Sequence, residues 1–187
     1  MRIPNSTRRK ALLVVDVQPR FLNDRTRYIV DNIGGLVDAV PYLLYVQGLL
    51  HADESSLWFK QHGWTAPADW NMLTTPPLGE RLKRLSAISV VKTTRSIFKG
   101  EPPILDFLQA NGIEETHIVG LDTYDCITAS AHEAFDLGFF TYVIEECCQC
   151  SSGQDLHDRA ITNLRFVNLT NNSCREVVDY IEVGAAG

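Results

Sequence analysis

THIVGLDTYDCITASAHEAFDLGFFTYVIEE, residues 116–146, is the stretch whose reading decides the fold. THIVGL (116–121) is a short apolar run and reads as a buried strand. YDCITASAHEAFDLG (124–138) reads as a small-residue helix ended by Gly138, and FFTYVIEE (139–146) as the next strand. Strand, helix and strand in succession imply parallel pairing with a right-handed crossover. Cys126 stands where the first strand gives way to the helix. It reads as a small buried hydrophobe, as half of a disulfide, or as a nucleophile. The rest of the chain has to choose.

The same alternation runs through the sequence. ALLVVDV (11–17), YLLYVQG (42–48), ISVVK (88–92) and FVNLT (166–170) read as further strands. Helical spacing is found over 28–40, 78–85, 102–112, 152–165 and 173–183. Six strands with intervening helices predict an α/β fold of the doubly wound, Rossmann-like kind. Its parallel sheet is six-stranded, with helices on both faces. The 187 residues are expected to form a single domain, 1–187, with residues 1–10 as a polar N-terminal extension. From His51 to Pro77 the chain reads as irregular and holds Trp58, Trp64 and Trp70. Loops of that length tend to carry function.

A net charge of −6 without a basic stripe argues against nucleic-acid and anionic-membrane partners. The opening MRIPNSTRRK lacks a following apolar h-region, so no signal peptide is read, and no run is long enough to span a bilayer. Five cysteines, an odd number, with no sign of export point to reduced thiols and a cytoplasmic setting. Cys147 and Cys150 form a CxxC without a second pair, a weak metal signal beside that of buried or loop thiols.

Ligands of open parallel sheets bind at the carboxyl ends of the strands. Asp16 ends the first strand, Lys92 the third, and Cys126 follows the fourth. Each charge alone reads equally as the point where a strand reaches water. An acid, a base and a thiol at one rim permit nucleophilic catalysis. A free thiol, with a pKa of ~8.5, is mostly protonated at neutral pH, and a helix N-terminus and a nearby ammonium would favour the thiolate. Asp16 can take the thiol proton and return it to a leaving amine. N–H groups in the turn 121–126 are placed to meet an oxyanion.

These residues carry a resemblance. VVDVQPRF is similar to the first-strand motif of the isochorismatase-like cysteine hydrolases, with Asp16 in the acid's place. VVKTTRSIF resembles their lysine motif, with Lys92 followed by Ser96 and Phe98. GLDTYDCITASAHEAFDLGF resembles their cysteine motif at Gly120, Thr123, Cys126, Thr128, Ala129, Ala134 and Gly138. The motifs stand in the family's order, and the resemblance runs from about Ala11 through nearly the whole chain. It implies an Asp16–Lys92–Cys126 triad. It also implies a cis peptide at Leu121–Asp122 that aims the N–H of Asp122, with that of Cys126, at the oxyanion. The implied activity is hydrolysis of a small-molecule amide or related C–N bond through a thioester. A homo-oligomer, dimer or tetramer, is implied as well.

Departures from the family pattern leave alternatives. Nicotinamidases of this family carry Asp-x-His and a later His as metal ligands. Here His51, Asp53 and His62 stand in the order HAD, so metal ligation or plain loop residues are both readings, and no cofactor is expected. Phe21 reads as a pocket wall or a core aromatic, and Arg20 as solvent-facing or as a carboxylate contact. Arg95, Ser96, Thr123 and Tyr124 are candidates for substrate contact or framework. The Trp58–Trp70 segment reads as a lid or as a subunit contact. Glu146 reads as a structural carboxylate and Cys147 as a small buried residue. A catalytically silent scaffold and a vinyl-ether hydrolase, which needs no thiol, are the alternatives in function.

Overall fold

The computed structural model describes residues 1–67, 70–176 and 179–184. Its elements in chain order are β1 (Arg2–Pro4), β2 (Lys10–Val15), α1 (Tyr28–Ala39), β3 (Leu44–Leu50), α2 (Leu57–His62), α3 (Pro76–Arg84) and β4 (Ile88–Lys92). There follow α4 (Ile104–Ala110), β5 (Glu115–Gly120), a wide π-type turn (Thr123–Ile127) running into α5 (Thr128–Asp136), β6 (Phe140–Cys148), α6 (Gln154–Phe166) and β7 (Tyr180–Glu182). Five strands form one parallel sheet in the order β4-β3-β2-β5-β6. β1 and β7 form a separate antiparallel pair.

β2 shows why its sequence is apolar without alternation. Ala11, Leu13 and Val15 face one core, with Ile104, Leu108, Ala131 and Leu164 from α4, α5 and α6. Leu12 and Val14 face the other, with Ile29, Ile33 and Leu36 of α1 and Leu78 and Leu82 of α3. Side chains alternate across the sheet, and both faces are covered, so both sets must be apolar.

The register sets the strand ends level. Val15 pairs with Gly48 on one side and Gly120 on the other, and Leu50 pairs with Lys92. Gly120 has φ +120°, and a Cβ there would lie 2.0 Å from the Val15 carbonyl oxygen. Only glycine allows β5 to end so close to β2. At Gly48 a Cβ would lie 2.9 Å from Ile97 Cδ1, so the bare backbone of β3 leaves space for that side chain.

Three expectations are corrected. Among the described residues the sheet has five parallel strands: Phe166 closes α6, Asn168 turns left-handed at φ 60°, and the 166–170 segment pairs with β6 in a single isolated bridge at Thr170. Over 173–183 no helix forms in the described part. Residues 177–178 lie outside the described residues, and Tyr180–Glu182 is β7. Residues 1–10 are not a bare extension, because Arg2–Pro4 pairs with β7 and Lys10 opens β2. The irregular 51–77 segment also contains α2, capped by the Ser56 side chain and ended by Gly63.

Candidate active site

Beyond Val15 the chain leaves the strand at Asp16, whose φ of 53° is left-handed, a region where Asp is among the commoner non-glycine residues. Lys92 is the last residue of β4. Its Nζ donates to Asp16 Oδ2 at 2.7 Å, to the Thr94 carbonyl at 3.1 Å and to Cys126 Sγ at 3.4 Å. An ammonium has three protons, and all three have acceptors. Asp16 and Lys92 are each 1% exposed and Cys126 4%. Three distant segments thus meet in one buried cluster.

Burial dominates the electrostatics. It raises the Asp16 carboxyl above its usual range, against the pull of Lys92. For Lys92 burial acts downward, but the Asp16 charge and the bonds to Asp16 and Cys126 outweigh it, so the ammonium is held. The Cys126 thiol is pushed well up, first by burial and then by the Asp16 charge, with Lys92 opposing. Burial thus works against the helix N-terminus and the ammonium, which favour the thiolate. Lys⁺, Asp⁻ and SH sum to zero, and a second anion in this dry cluster would be uncompensated. Shifting the thiol proton to Asp16 keeps the sum at zero.

The turn carrying Cys126 is held from several sides. The Leu121–Asp122 peptide is cis. The Asp122 carboxylate accepts from the Ser151 N–H and Oγ, both at 2.7 Å. The Asp125 and Ile127 N–H groups donate to the Asp122 carbonyl, and that of Thr123 to Gln149 O. Thr123 Oγ1 meets His157 Nδ1 at 2.9 Å. On the opposite side Gln18 staples β3 to the next loop: its amide accepts from the Leu50 N–H and donates to the Leu50 and Met72 carbonyls. Gln18, Asp125, Ser151 and His157 were not singled out in the sequence. No local pattern flags them, since each acts on a partner from a distant segment.

A cavity of about 330 Å³ opens on the thiol. Asp16, Asp122, Asp125 and Cys126 line it with Phe21, Tyr124, Trp58, Trp64, Trp70 and Arg20. Phe21 and Tyr124 therefore lie in the wall. Ser96 and Thr123 do not line it. Ser96 caps the turn Ile97–Lys99, and Thr123 is fully buried. Arg95 lies outside it, paired with Asp125. The three tryptophans pack edge-on around Phe59, so the segment walls the cavity. Buried Asp16 Oδ1, Trp58 Nε1 and Trp70 Nε1 make no hydrogen bond among the described residues. Such groups collect where ligands bind.

His51, Asp53 and His62 do not assemble a metal site. Asp53 Oδ1 accepts from the Ser55 N–H and hydroxyl. His62 Nδ1 is 2.8 Å from the Trp58 carbonyl, with its ring 4.4 Å from that of Trp64. Among the described residues no three His, Cys, Asp or Glu side chains converge as a ligand set. Cys147, Cys148 and Cys150 are buried and free.

A five-stranded parallel sheet, helices on both faces and a polar crevice at the carboxyl ends define the class: an open α/β protein. The isochorismatase-domain model matches residues 10–179, and the chain belongs to the isochorismatase family. Three solved structures share its fold. An isochorismatase-like hydrolase from Alkaliphilus metalliredigens has a TM-score of 0.71 at 16% identity, covering 87% of this chain and 93% of that one. PnC1 from L. infantum, in complex with nicotinate, has a TM-score of 0.73 at 16% identity, covering 91% and 95%. A pyrazinamidase of Pyrococcus horikoshii, in complex with zinc, has a TM-score of 0.68 at 20% identity, covering 87% and 97%. No curated protein matches the chain in sequence.

Proposed function

We propose that the chain is a cysteine hydrolase of a small-molecule amide or related C–N bond, working through a thioester on Cys126. One observation carries the reading: Lys92 Nζ lies 2.7 Å from Asp16 Oδ2 and 3.4 Å from Cys126 Sγ, inside the wall of a cavity of substrate size. The names of the structures that share its fold, a hydrolase and a pyrazinamidase among them, agree with it.

Cys126 Sγ attacks the amide carbonyl as its proton passes to Asp16, whose Oδ1 has no other hydrogen-bond partner among the described residues. Burial suits Asp16 to this role by raising its proton affinity. Lys92 stays charged, holds Oδ2 and steadies the negative charge near sulfur. The carbonyl oxygen becomes an oxyanion. The proposed donors are the N–H groups of Asp122 and Cys126, as the family resemblance implies. The C–N bond then breaks, and Asp16 returns its proton to the amine. Water, deprotonated by Asp16, adds to the thioester carbonyl, the C–S bond breaks, Asp16 returns the proton to the leaving sulfur, and the acid departs. The tryptophan wall limits water at the thioester. The whole chain acts as one domain, and the exposed Phe135, Phe140 and Phe166 favour an oligomer.

Ammonia release from a panel of small amides tests the reading. The wild type is expected to turn over at least one of them, and Cys126→Ala none. Turnover that survives in Cys126→Ala refutes it.

A further inference from the structure

Asp125 stands directly before Cys126 and lines the same cavity. Its side chain is 19% exposed, so its charge is only partly screened. Arg95 Nε forms an ion pair with Asp125 Oδ1. The Arg95 guanidinium also lies 5.6 Å from the centre of the Trp58 ring. The chain from 92 to 95 thus pairs two cations with carboxylates of the cavity wall, Lys92 with Asp16 and Arg95 with Asp125. The charges around the sulfur are Asp16 from the end of β2, Lys92 from the end of β4 and Asp125 from its own turn. Asp122, bonded to Ser151, and Arg20, stacked 3.1 Å over the Trp70 ring, share the cavity wall. His157 stands behind Thr123.

We propose that Arg95 is a positioning residue: by pairing with Asp125 it removes a carboxylate charge from beside the nucleophile and so sets the reactivity of Cys126. The proposal rests on the reading of Cys126 as the nucleophile. An uncompensated carboxylate next to the sulfur opposes the negative charge that develops there during attack. Arg95 cancels it from outside the cavity and leaves the substrate space free. The direction in which Asp125 acts on the thiol agrees, since its charge adds to the upward push.

Iodoacetamide labelling of Cys126 tests the pair without any substrate. Rates are read on the Cys126 peptide by mass spectrometry from about pH 6 to about pH 9, where the thiolate fraction governs reactivity. Arg95→Ala is expected to slow labelling about tenfold, and Asp125→Asn to speed it by about the same factor, as one nearby charge shifts a titration by about a unit. Arg95→Lys keeps the charge and the wild-type profile. The double variant, Arg95→Ala with Asp125→Asn, returns to within about threefold of wild type, the mark of a shared interaction. If Arg95→Ala fails to fold, Arg95→Lys and Asp125→Asn carry the test.

Equal rates in wild type and Asp125→Asn overturn the proposal, as does movement of both single variants in the same direction. Those results leave the nucleophile itself standing. Amide turnover that survives in Cys126→Ala overturns the nucleophile reading, and this inference with it.

Discussion

Asp16 is pulled two ways: its surroundings exclude water, yet one of its oxygens holds a lysine ammonium while the other makes no close hydrogen bond among the described residues. That asymmetry suits a group that takes and returns a proton. Asp16→Asn keeps the shape and loses the base, so the amide turnover of the wild type should fall by about 10²–10⁴-fold. Parallel thermal melts check that the fold survives. Lys92→Met would leave Asp16 buried without its counter-ion, at a cost of about 3–5 kcal/mol by urea denaturation. The sign with pH follows from Asp16. Its folded-state pKa is raised above 3.8, and loss of Lys92 raises it further. The unfolded carboxyl titrates alike in both proteins, so the deficit relative to wild type should grow as pH rises through the wild-type folded pKa of Asp16, which lies above 3.8, and shrink below it. A deficit independent of pH would contradict this. Asp16, Lys92 and Cys126 were legible because each interrupts or follows an apolar run. Asp125 and Gln18 were not, because their partners, Arg95 and the ends of β3 and the next loop, arrive through the fold.

At the scale of elements, Gly120 joins β5 to the nucleophile turn. Ala at this position would bring a Cβ to 2.0 Å from the Val15 carbonyl in a backbone region that L residues avoid. Gly120→Ala should cost about 3 kcal/mol or more, read by urea denaturation, with the turn displaced. A variant as stable as wild type would show that β2 and β5 need not approach so closely. The parallel strands were legible because burial on both faces leaves an apolar run that few other elements produce. FVNLT has the same composition but fails as a strand. Phe166 is 84% exposed, and Asn168 turns the chain at the end of α6. The 173–183 segment shows helical spacing, yet its Tyr180–Glu182 part pairs with β1, almost the full chain length away. Local periodicity carries no information about such a partner. Helix α2, six residues within a segment rich in Trp and Pro, is too short for periodicity to reveal.

Across the whole molecule, the chain ends and the foot of the sheet are tied together. Met1 and Val183 exchange two hydrogen bonds, through N–H groups and carbonyls. Ser6 Oγ donates to Glu115 Oε2 at 2.6 Å, His117 Nε2 lies 2.9 Å from Glu115 Oε1, and Tyr42 Oη lies 2.8 Å from His117 Nδ1. Burial depresses His117 below 6.5, with Glu115 opposing. Burial acts to raise Glu115, but the bonds from His117 and Ser6 and the Lys10 charge outweigh it and hold the carboxyl below 4.5. Below pH 6.5 the unfolded histidine binds a proton that the folded one refuses, so stability should fall as pH drops through that value. It should fall again through the depressed folded pKa of Glu115. Melting temperatures measured from about pH 8 to about pH 4 check this, and His117→Gln, which cannot titrate, should flatten the first stage. The sheet and the acid–ammonium–thiol rim were readable from apolar runs and their charged ends, whereas this network depends on how the termini close. The central claim is that sulfur and acyl group become bonded during turnover, and one measurement reaches it directly. Protein is acid-quenched while hydrolysing an amide that it turns over, and the Cys126 peptide is weighed. The account predicts a fraction of that peptide heavier by the acyl group. An unmodified Cys126 peptide, with turnover undiminished in Cys126→Ala, would contradict it.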